Sequence, residues 1–193
     1  MAGLLVVIAA IGAALGQDRP ASSPPARNVV DHARNDDRPR SEPRAALGEA
    51  GGALPDGATV FDDEFPGVAK LDPDLLEALR EAAAEAANDG VELIVDSGWR
   101  SRAYQEQLLR QAISTYGSEA EAARWVATPK TSAHVSGDAV DIGPSAAATW
   151  LSERGAEYGL CQIYGNEPWH FELRPGGCPA MYADPTQDPR MQQ

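Results

Sequence analysis

Basic residues are scarce in this chain of 193 residues: 16 Lys and Arg stand against 29 Asp and Glu, a formal net charge of −13. Residues 17–55 are neutral, with six basic and six acidic residues, so the whole deficit falls on residues 56–193, with ten basic and 23 acidic. Such a surface repels phosphate backbones, which argues against nucleic acid as a partner. Cysteine is nearly absent. Cys161 and Cys178 are the only two, and they have neither CxxC nor zinc-finger spacing, which argues against a thiolate metal site. Histidine is almost as rare, with His32, His134 and His170. No internal repeat is visible. There is also no apolar run of the roughly 20 residues that a comfortable membrane span needs.

The uncharged stretch Met1–Gly16 comes nearest to such a run. It fits the core of a signal peptide, with Ala14 and Gly16 as small residues before a cleavage point, although the usual basic start is missing. The alternative is an uncleaved membrane anchor. Residues 17–55 are rich in Pro, Ala, Arg, Ser and Asp and poor in large apolar side chains. Such a segment does not bury enough surface to offset its ordering entropy, and it reads as a disordered linker. His32 falls within it. A folded domain is expected over 56–182 and a frayed tail over 183–193.

Inside the domain, Asp72-Pro73 opens a helix with an N-cap and a proline in the first turn. Leu71, Leu75, Leu76, Leu79, Ala82, Ala83 and Ala86 recur at helical period, and Asn88-Asp89-Gly90 ends the helix. Val91, Leu93 and Val95 alternate as a strand that leads into Ser97-Gly98-Trp99-Arg100-Ser101. Ser101 caps a second helix, whose Tyr104, Leu108, Leu109, Ala112 and Ile113 are expected in the core, with Gln105 and Gln107 able to face a cleft. Ser118-Glu-Ala-Glu121 reads as a capping box. Leu160–Tyr164 and Trp169–Glu172 read as a hairpin turned at Gly165-Asn166. The cysteine pair is expected to form a disulfide that ties this hairpin to the tail.

Two stretches carry chemistry. One is Thr131-Ser-Ala-His-Val-Ser-Gly-Asp-Ala-Val-Asp141; the other is Gly165-Asn-Glu-Pro-Trp-His-Phe-Glu172. A histidine by itself is more often a packed or surface residue than a ligand. Here His134, Asp141 and His170, with a glutamate to spare, make the ligand set of an open catalytic zinc site, which has three protein ligands and one position for water. His134 and Asp141 are seven residues apart and would face opposite sides of a plain strand. Gly137 between them allows a turn that re-aims one of them. Trp169 and Phe171 are expected to face the core while His170 faces the site. Glu167 and Glu172 both stand near enough to serve as base. Glu172 shares a strand face with His170, and Glu167 sits on the Pro168 bend.

Ser132-x-His134-x-x-Gly137-x-Ala139-x-Asp141, followed by Glu167-x-x-His170, resembles the zinc D-alanyl-D-alanine carboxypeptidases, the family of the vancomycin-resistance carboxypeptidase and dipeptidase. Ser97-Gly98-Trp99-Arg100-Ser101 resembles a third motif of that family. The resemblance covers roughly Asp56 to Pro175. It implies an α+β fold of the LAS and hedgehog type, a small mainly antiparallel sheet that carries Zn2+ and has helices packed on it. It also implies His134, Asp141 and His170 as ligands, Glu167 as base, and Ser132 and Arg100 as substrate contacts. Arg100 suits that role because guanidinium matches a terminal carboxylate bidentately. The plainer reading of Arg100 is a surface ion pair, and that of Ser132 a backbone hydrogen bond in its turn.

The activity implied is removal of the terminal D-Ala from peptidoglycan stem peptides by an exported protein, secreted or tethered at the membrane. L,D-carboxypeptidase, D-Ala-D-Ala dipeptidase and wall endopeptidase are alternatives of the same fold. A non-catalytic zinc-containing wall-binding or signalling domain is the alternative of another class.

Overall fold

A computed structural model describes residues 48–192. The leader over 1–16, most of the linker and His32 lie outside the described residues. Helix α1 (Pro66–Ala69) precedes α2 (Pro73–Asn88) and strand β1 (Ile94–Ser97). Helices α3 (Arg102–Tyr116), α4 (Glu119–Ala122) and α5 (Ala133–Ser136) follow, then β2 (Ala139–Gly143), α6 (Ser145–Arg154), β3 (Leu160–Gln162) and β4 (His170–Leu173). The four strands form one antiparallel sheet in the order β1-β2-β4-β3. The α+β class with a small antiparallel sheet is therefore the observed one.

Helix α2 forms where its capping residues predict it. The Asp72 carboxylate accepts hydrogen bonds from the backbone N–H groups of Asp74 and Leu75, and Pro73 occupies the first turn, where its missing donor costs nothing. Leu75, Leu79, Ala82 and Ala86 form its buried stripe. This stripe packs with α6 residues Trp150 and Leu151 and with strand residues Val95, Val140, Ile142, Leu160 and Phe171 into one apolar core. β1 begins at Ile94 rather than Val91, although Leu93 and Val95 are buried as their alternation predicts.

Alternation within the strands decides what lies on the other face. Val140 pairs with Phe171 and both point into the core, so their neighbours Asp141 and His170, which also pair across β2 and β4, point away from it together. Glu172, two residues beyond His170, shares their face, and its partner on β3 is Cys161.

Two expected boundaries are corrected. Residues 48–55, read as linker, form a turn over Glu49–Gly51 that docks on the loop after β1, where the Ser101 N–H donates to the Gly51 carbonyl at 2.8 Å. Leu54 packs on the core. Composition averaged over the Pro- and Arg-rich residues before this turn conceals it. Residues 183–193, read as a frayed tail, include buried Asp184, Pro185 and Asp188. The Gly165 and Asn166 N–H groups donate to the Tyr182 and Ala183 carbonyls at 2.8 and 3.1 Å, and the Tyr182 N–H to the Ile163 carbonyl at 3.0 Å. The tail is thus laid beside the end of β3, where it satisfies backbone groups that would otherwise need water. The Cys161–Cys178 disulfide joins β3 to the start of this return, as expected.

Candidate metal centre and cleft

The two ligand stretches meet through the pairing of β2 with β4, which sets Asp141 beside His170. Gly137 has φ +89°, a conformation that side chains with a Cβ rarely adopt, and ends α5. The chain reverses there into β2, so His134, on a single helical turn, and Asp141, on a strand, converge. A Cβ on Gly137 would lie 2.5 Å from the Lys70 carbonyl oxygen, and one on Gly98 2.1 Å from that of Gly67. These close approaches seat the turn after β1 and the end of α5 side by side on α1 and the residue that follows it. There the Arg100 N–H donates to the His134 carbonyl at 3.0 Å, and the Gly98 carbonyl accepts from His134 Nδ1 at 2.8 Å.

That last bond fixes the tautomer of His134: Nδ1 carries the proton and Nε2 turns its lone pair to the site. His170 is set the opposite way round. Its Nε2 donates to Glu172 Oε1 at 3.1 Å, which leaves Nδ1 for the site. His134 Nε2, His170 Nδ1 and Asp141 Oδ1 then form a nearly equilateral triangle, with edges of 3.3, 3.2 and 3.4 Å. Ligands held tetrahedrally at the 2.0–2.1 Å typical of zinc lie about 3.3–3.4 Å apart, so the donor set matches such an ion in both chemistry and spacing.

Burial sets the electrostatics. It pushes the His134 pKa down, and the nearby Arg100 charge pushes it further, which keeps the imidazole in its ligand form. Burial works against ionised Asp141, but His134, His170 and Arg100 outweigh it and hold the carboxyl well below its ordinary range. Burial also works against charged His170, yet its hydrogen bonds to Asp141 and Glu172 raise it to about 9, so a metal at Nδ1 would take the place of a proton there. Glu172 is fully buried. Burial alone would raise its pKa, but hydrogen bonds from His170 and Arg190 hold it at about 2.

Glu167 differs from every other carboxylate here. It is 6% exposed, and its Oε2 lies 3.9 Å from His170 Nδ1. Its Oε1 is buried and has no hydrogen-bond partner among the described residues. Burial raises its pKa to about 7, with the Asp141 charge adding to the rise and His170 opposing it. A buried carboxylate with a free oxygen and a pKa near neutrality has the properties of a general base.

Arg100 reaches the same place from the turn after β1. Its Nη2 donates to Asp141 Oδ2 at 2.6 Å, Nε to Ser97 Oγ at 2.7 Å and Nη1 to Gln105 Oε1 at 3.3 Å. Gln105 is in turn fixed by donation to the Ala127 carbonyl at 2.8 Å. Ser132 is buried at the N-cap of α5 and lines the same cavity, without a side-chain capping bond. The structure therefore brings together all six residues singled out for the site: Arg100, Ser132, His134, Asp141, Glu167 and His170.

The cavity above them has a volume of about 330 Å³, and its outer wall comes from α3 and the segment after α4. Here two expectations fail. The apolar residues of α3 were expected in the core, but Leu108, Leu109 and Ile113 are only half-buried; Gln105 and Ala112 are the buried positions. Leu108 and Ala112 face the cavity instead, beside Tyr116 and Trp125, whose rings stack 5.8 Å apart. Trp169 was expected to join Phe171 in the core but is 38% exposed at the cavity rim. It precedes β4 on the Pro168 turn, where strand alternation does not yet apply. Asp188 and Arg190 were expected only in a frayed tail and Tyr164 only at the end of a strand, yet all three lie behind His170 and Glu172. Their signal was the pair Asp184-Pro185 and Asp188-Pro189, which marks starts of turns rather than a frayed end.

A family profile described as VanY, D-alanyl-D-alanine carboxypeptidase, matches residues 68–175. A D-alanyl-D-alanine carboxypeptidase of Enterococcus faecalis (strain ATCC 700802 / V583) is 30% identical over 127 residues, covering 53% of this chain and 47% of that protein. The chain thus spans about half the length of that relative. Among solved structures, a variant of the vancomycin-resistance D,D-pentapeptidase VanY from a VanB-type resistance cassette, in complex with Zn(II), aligns with a TM-score of 0.51 and 29% identity, over 53% of this chain and 72% of that one. VanYB in complex with D-alanine-D-alanine aligns with the same TM-score and identity, over 53% and 71%. The LD-carboxypeptidase LdcB shares the fold, with a TM-score of 0.51 at 24% identity over 64% of this chain and 68% of that one.

Proposed function

Because the chain belongs to the D-alanyl-D-alanine carboxypeptidase family, we propose that it is a zinc-dependent D,D-carboxypeptidase that removes the terminal D-Ala from peptidoglycan stem peptides. The observation that carries this reading is the triangle of His134 Nε2, Asp141 Oδ1 and His170 Nδ1 beside the unpartnered Glu167 Oε1. The non-catalytic alternative would be favoured by a lost ligand or base, and all four positions are filled.

Zinc, when held by His134, Asp141 and His170, supplies Lewis acidity toward the scissile carbonyl and acidifies water. Glu167 takes the proton of the attacking water on its free oxygen and returns it to the leaving amine. Its pKa of about 7 suits both transfers. Arg100, oriented by Ser97 and Gln105, binds the terminal carboxylate of the peptide and so sets which bond lies over the site. In the structure its fork rests on Asp141; a substrate carboxylate takes up donors now shared with that residue. Ser132 offers a hydroxyl to the substrate backbone from the cavity wall.

The protein acts outside the cytoplasm. Its Cys161–Cys178 disulfide fits an oxidising compartment, and the apolar Met1–Gly16 fits an export signal. Among the described residues no helix is long and apolar enough to cross a membrane.

The test is release of free D-alanine from a stem pentapeptide. Activity should disappear with a chelator and return with zinc. A pentapeptide amidated at its C-terminus should be a poor substrate. Equal cleavage of acid and amide would remove Arg100 as the carboxylate anchor and make an endopeptidase the better reading. Chelator-resistant release would remove zinc from the mechanism.

A further inference from the structure

The unexplained feature of the molecule is its C-terminal return. Residues 182–192 bury charged groups against the back of the candidate metal centre, although the family profile ends at residue 175. Arg190 approaches Glu172 with both ends of its guanidinium fork, Nη1 to Oε2 at 2.7 Å and Nη2 to Oε1 at 3.2 Å. Glu172 is the residue that accepts the hydrogen bond from His170 Nε2. Arg190 is itself gripped by Asp188, through Nε at 2.9 Å and Nη2 at 2.5 Å to Oδ2. The same Asp188 oxygen accepts from the Tyr164 hydroxyl at 2.9 Å, and the Tyr164 ring lies 5.1 Å from that of His170. The return therefore reaches His170 by two routes, through the carboxylate on its Nε2 and through the ring packed against its plane.

The chemistry gives this arrangement a purpose. The acceptor that holds one nitrogen of a metal-binding histidine fixes its tautomer and aims the ring, so the other nitrogen meets the metal in a set direction. Glu172 is that acceptor, but a lone carboxylate can rotate about its last bond. Arg174, from the end of β4, also pairs with Glu172 but reaches only Oε2. The planar fork of Arg190 touches both oxygens and so fixes the plane of the carboxylate.

We propose that the C-terminal strap, residues 182–192, is part of the metal centre, with Arg190 as a positioning residue that locks Glu172 and through it the tautomer and ring orientation of His170. The proposal rests on the zinc reading given above. It extends that reading to a segment beyond the matched family region.

The test is the zinc(II) affinity of the full chain, measured by competition with a chromophoric chelator, for the unaltered protein, Arg190→Gln, Glu172→Gln and the double variant. Loss of an outer-shell partner typically weakens metal binding about 10- to 100-fold, and Arg190→Gln should fall in that range. If Arg190 acts through Glu172, the same substitution in the Glu172→Gln background should change affinity by no more than about twofold, the ordinary scatter of additivity. Wild-type affinity in Arg190→Gln would overturn the proposal. So would an equal loss in both backgrounds, which would mark Arg190 as a general structural contact. If Arg190→Gln fails to fold, Arg190→Lys takes its place in the cycle; it keeps the charge and loses the fork, and wild-type affinity would overturn the proposal again. An unaltered chain that takes up no zinc defeats the metal reading and the strap's role with it. Zinc binding that Arg190 does not influence defeats the strap alone.

Discussion

The two faces of the β-sheet are built on different principles. One face, with Val140, Ile142, Leu160 and Phe171, is covered by α2 and α6 and carries the main apolar core. Its cohesion is non-directional and grows with buried area, so many residue combinations satisfy it. The opposite face, with Asp141, His170 and Glu172, is just as deeply buried but charged, and it is closed by the turn after β1, α5 and the C-terminal strap. Buried ion pairs are poor sources of net stability, because desolvation offsets much of their attraction. They do fix direction, since each donor needs one acceptor at one place. The apolar face holds the protein together, and the charged face aims its ligands.

The largest expected effect comes from Glu167, whose Oε1 has no hydrogen-bond partner among the described residues. Glu167→Ala should keep fold and zinc content and lose on the order of 10²–10⁴ in turnover, the usual contribution of a general base. Glu172→Ala should do the reverse, losing zinc affinity before turnover per bound metal. Zinc content and turnover measured on the same preparations decide it. If Glu167→Ala stayed active while Glu172→Ala kept zinc and was dead, the base would be the wrong carboxylate.

Leu79→Ala probes the other face. Leu79 is fully buried, and truncation there should cost about 2–5 kcal/mol of stability. Below the unfolding transition, zinc affinity should be unchanged. A parallel loss of affinity in the folded state would mean that the two faces are coupled and the contrast between them is wrong.

Reducing Cys161–Cys178 releases a loop with a sequence separation of 17, for which the chain-entropy account gives about 3 kcal/mol. A lower melting temperature with zinc retained is expected. Loss of zinc on reduction would mean that the strap depends on the disulfide for its seating.

The smallest effect is a pH dependence of the strap. Burial would raise the Asp188 pKa, but hydrogen bonds from Arg190 and Tyr164 outweigh it and the pKa lies below the ordinary 3.8. A depressed pKa gives stability that is fully present above 3.8 and is lost as pH falls through the lower folded value. Proteolytic accessibility of residues 182–192 should therefore rise only in acid below that point. Release between pH 5 and 8 would show that another group holds the strap.

Much of the helix-covered face was legible in the sequence. Leu75, Leu79, Ala82 and Ala86 announce α2 by their period, and Asp72-Pro73 announces its start, because helix geometry is local. The site residues were also legible, since His134, Asp141 and His170 are few, chemically distinctive and motif-spaced. Long-range placement was not. The apolar residues of α3 read as core because period reports only that a face is apolar, not what it meets. Leu108 and Ala112 meet the cavity, while Leu109 and Ile113 stay half-buried outside it. Trp169 read as inward because alternation was extended past the turn in which it lies.

The sequence by itself determined the donor set, the capped helix and the apolar face of the sheet, since each follows from residue type and short-range spacing. Tertiary structure alone decided the pairing of Asp141 with His170 across β2 and β4, the lone oxygen of Glu167 and the fork of Arg190 on Glu172. Those depend on strand register and on a chain return that closes 18 residues after Glu172. Local preferences do not encode them, because a buried charge chooses its partner by position in space and pays its desolvation only once the whole fold has closed around it.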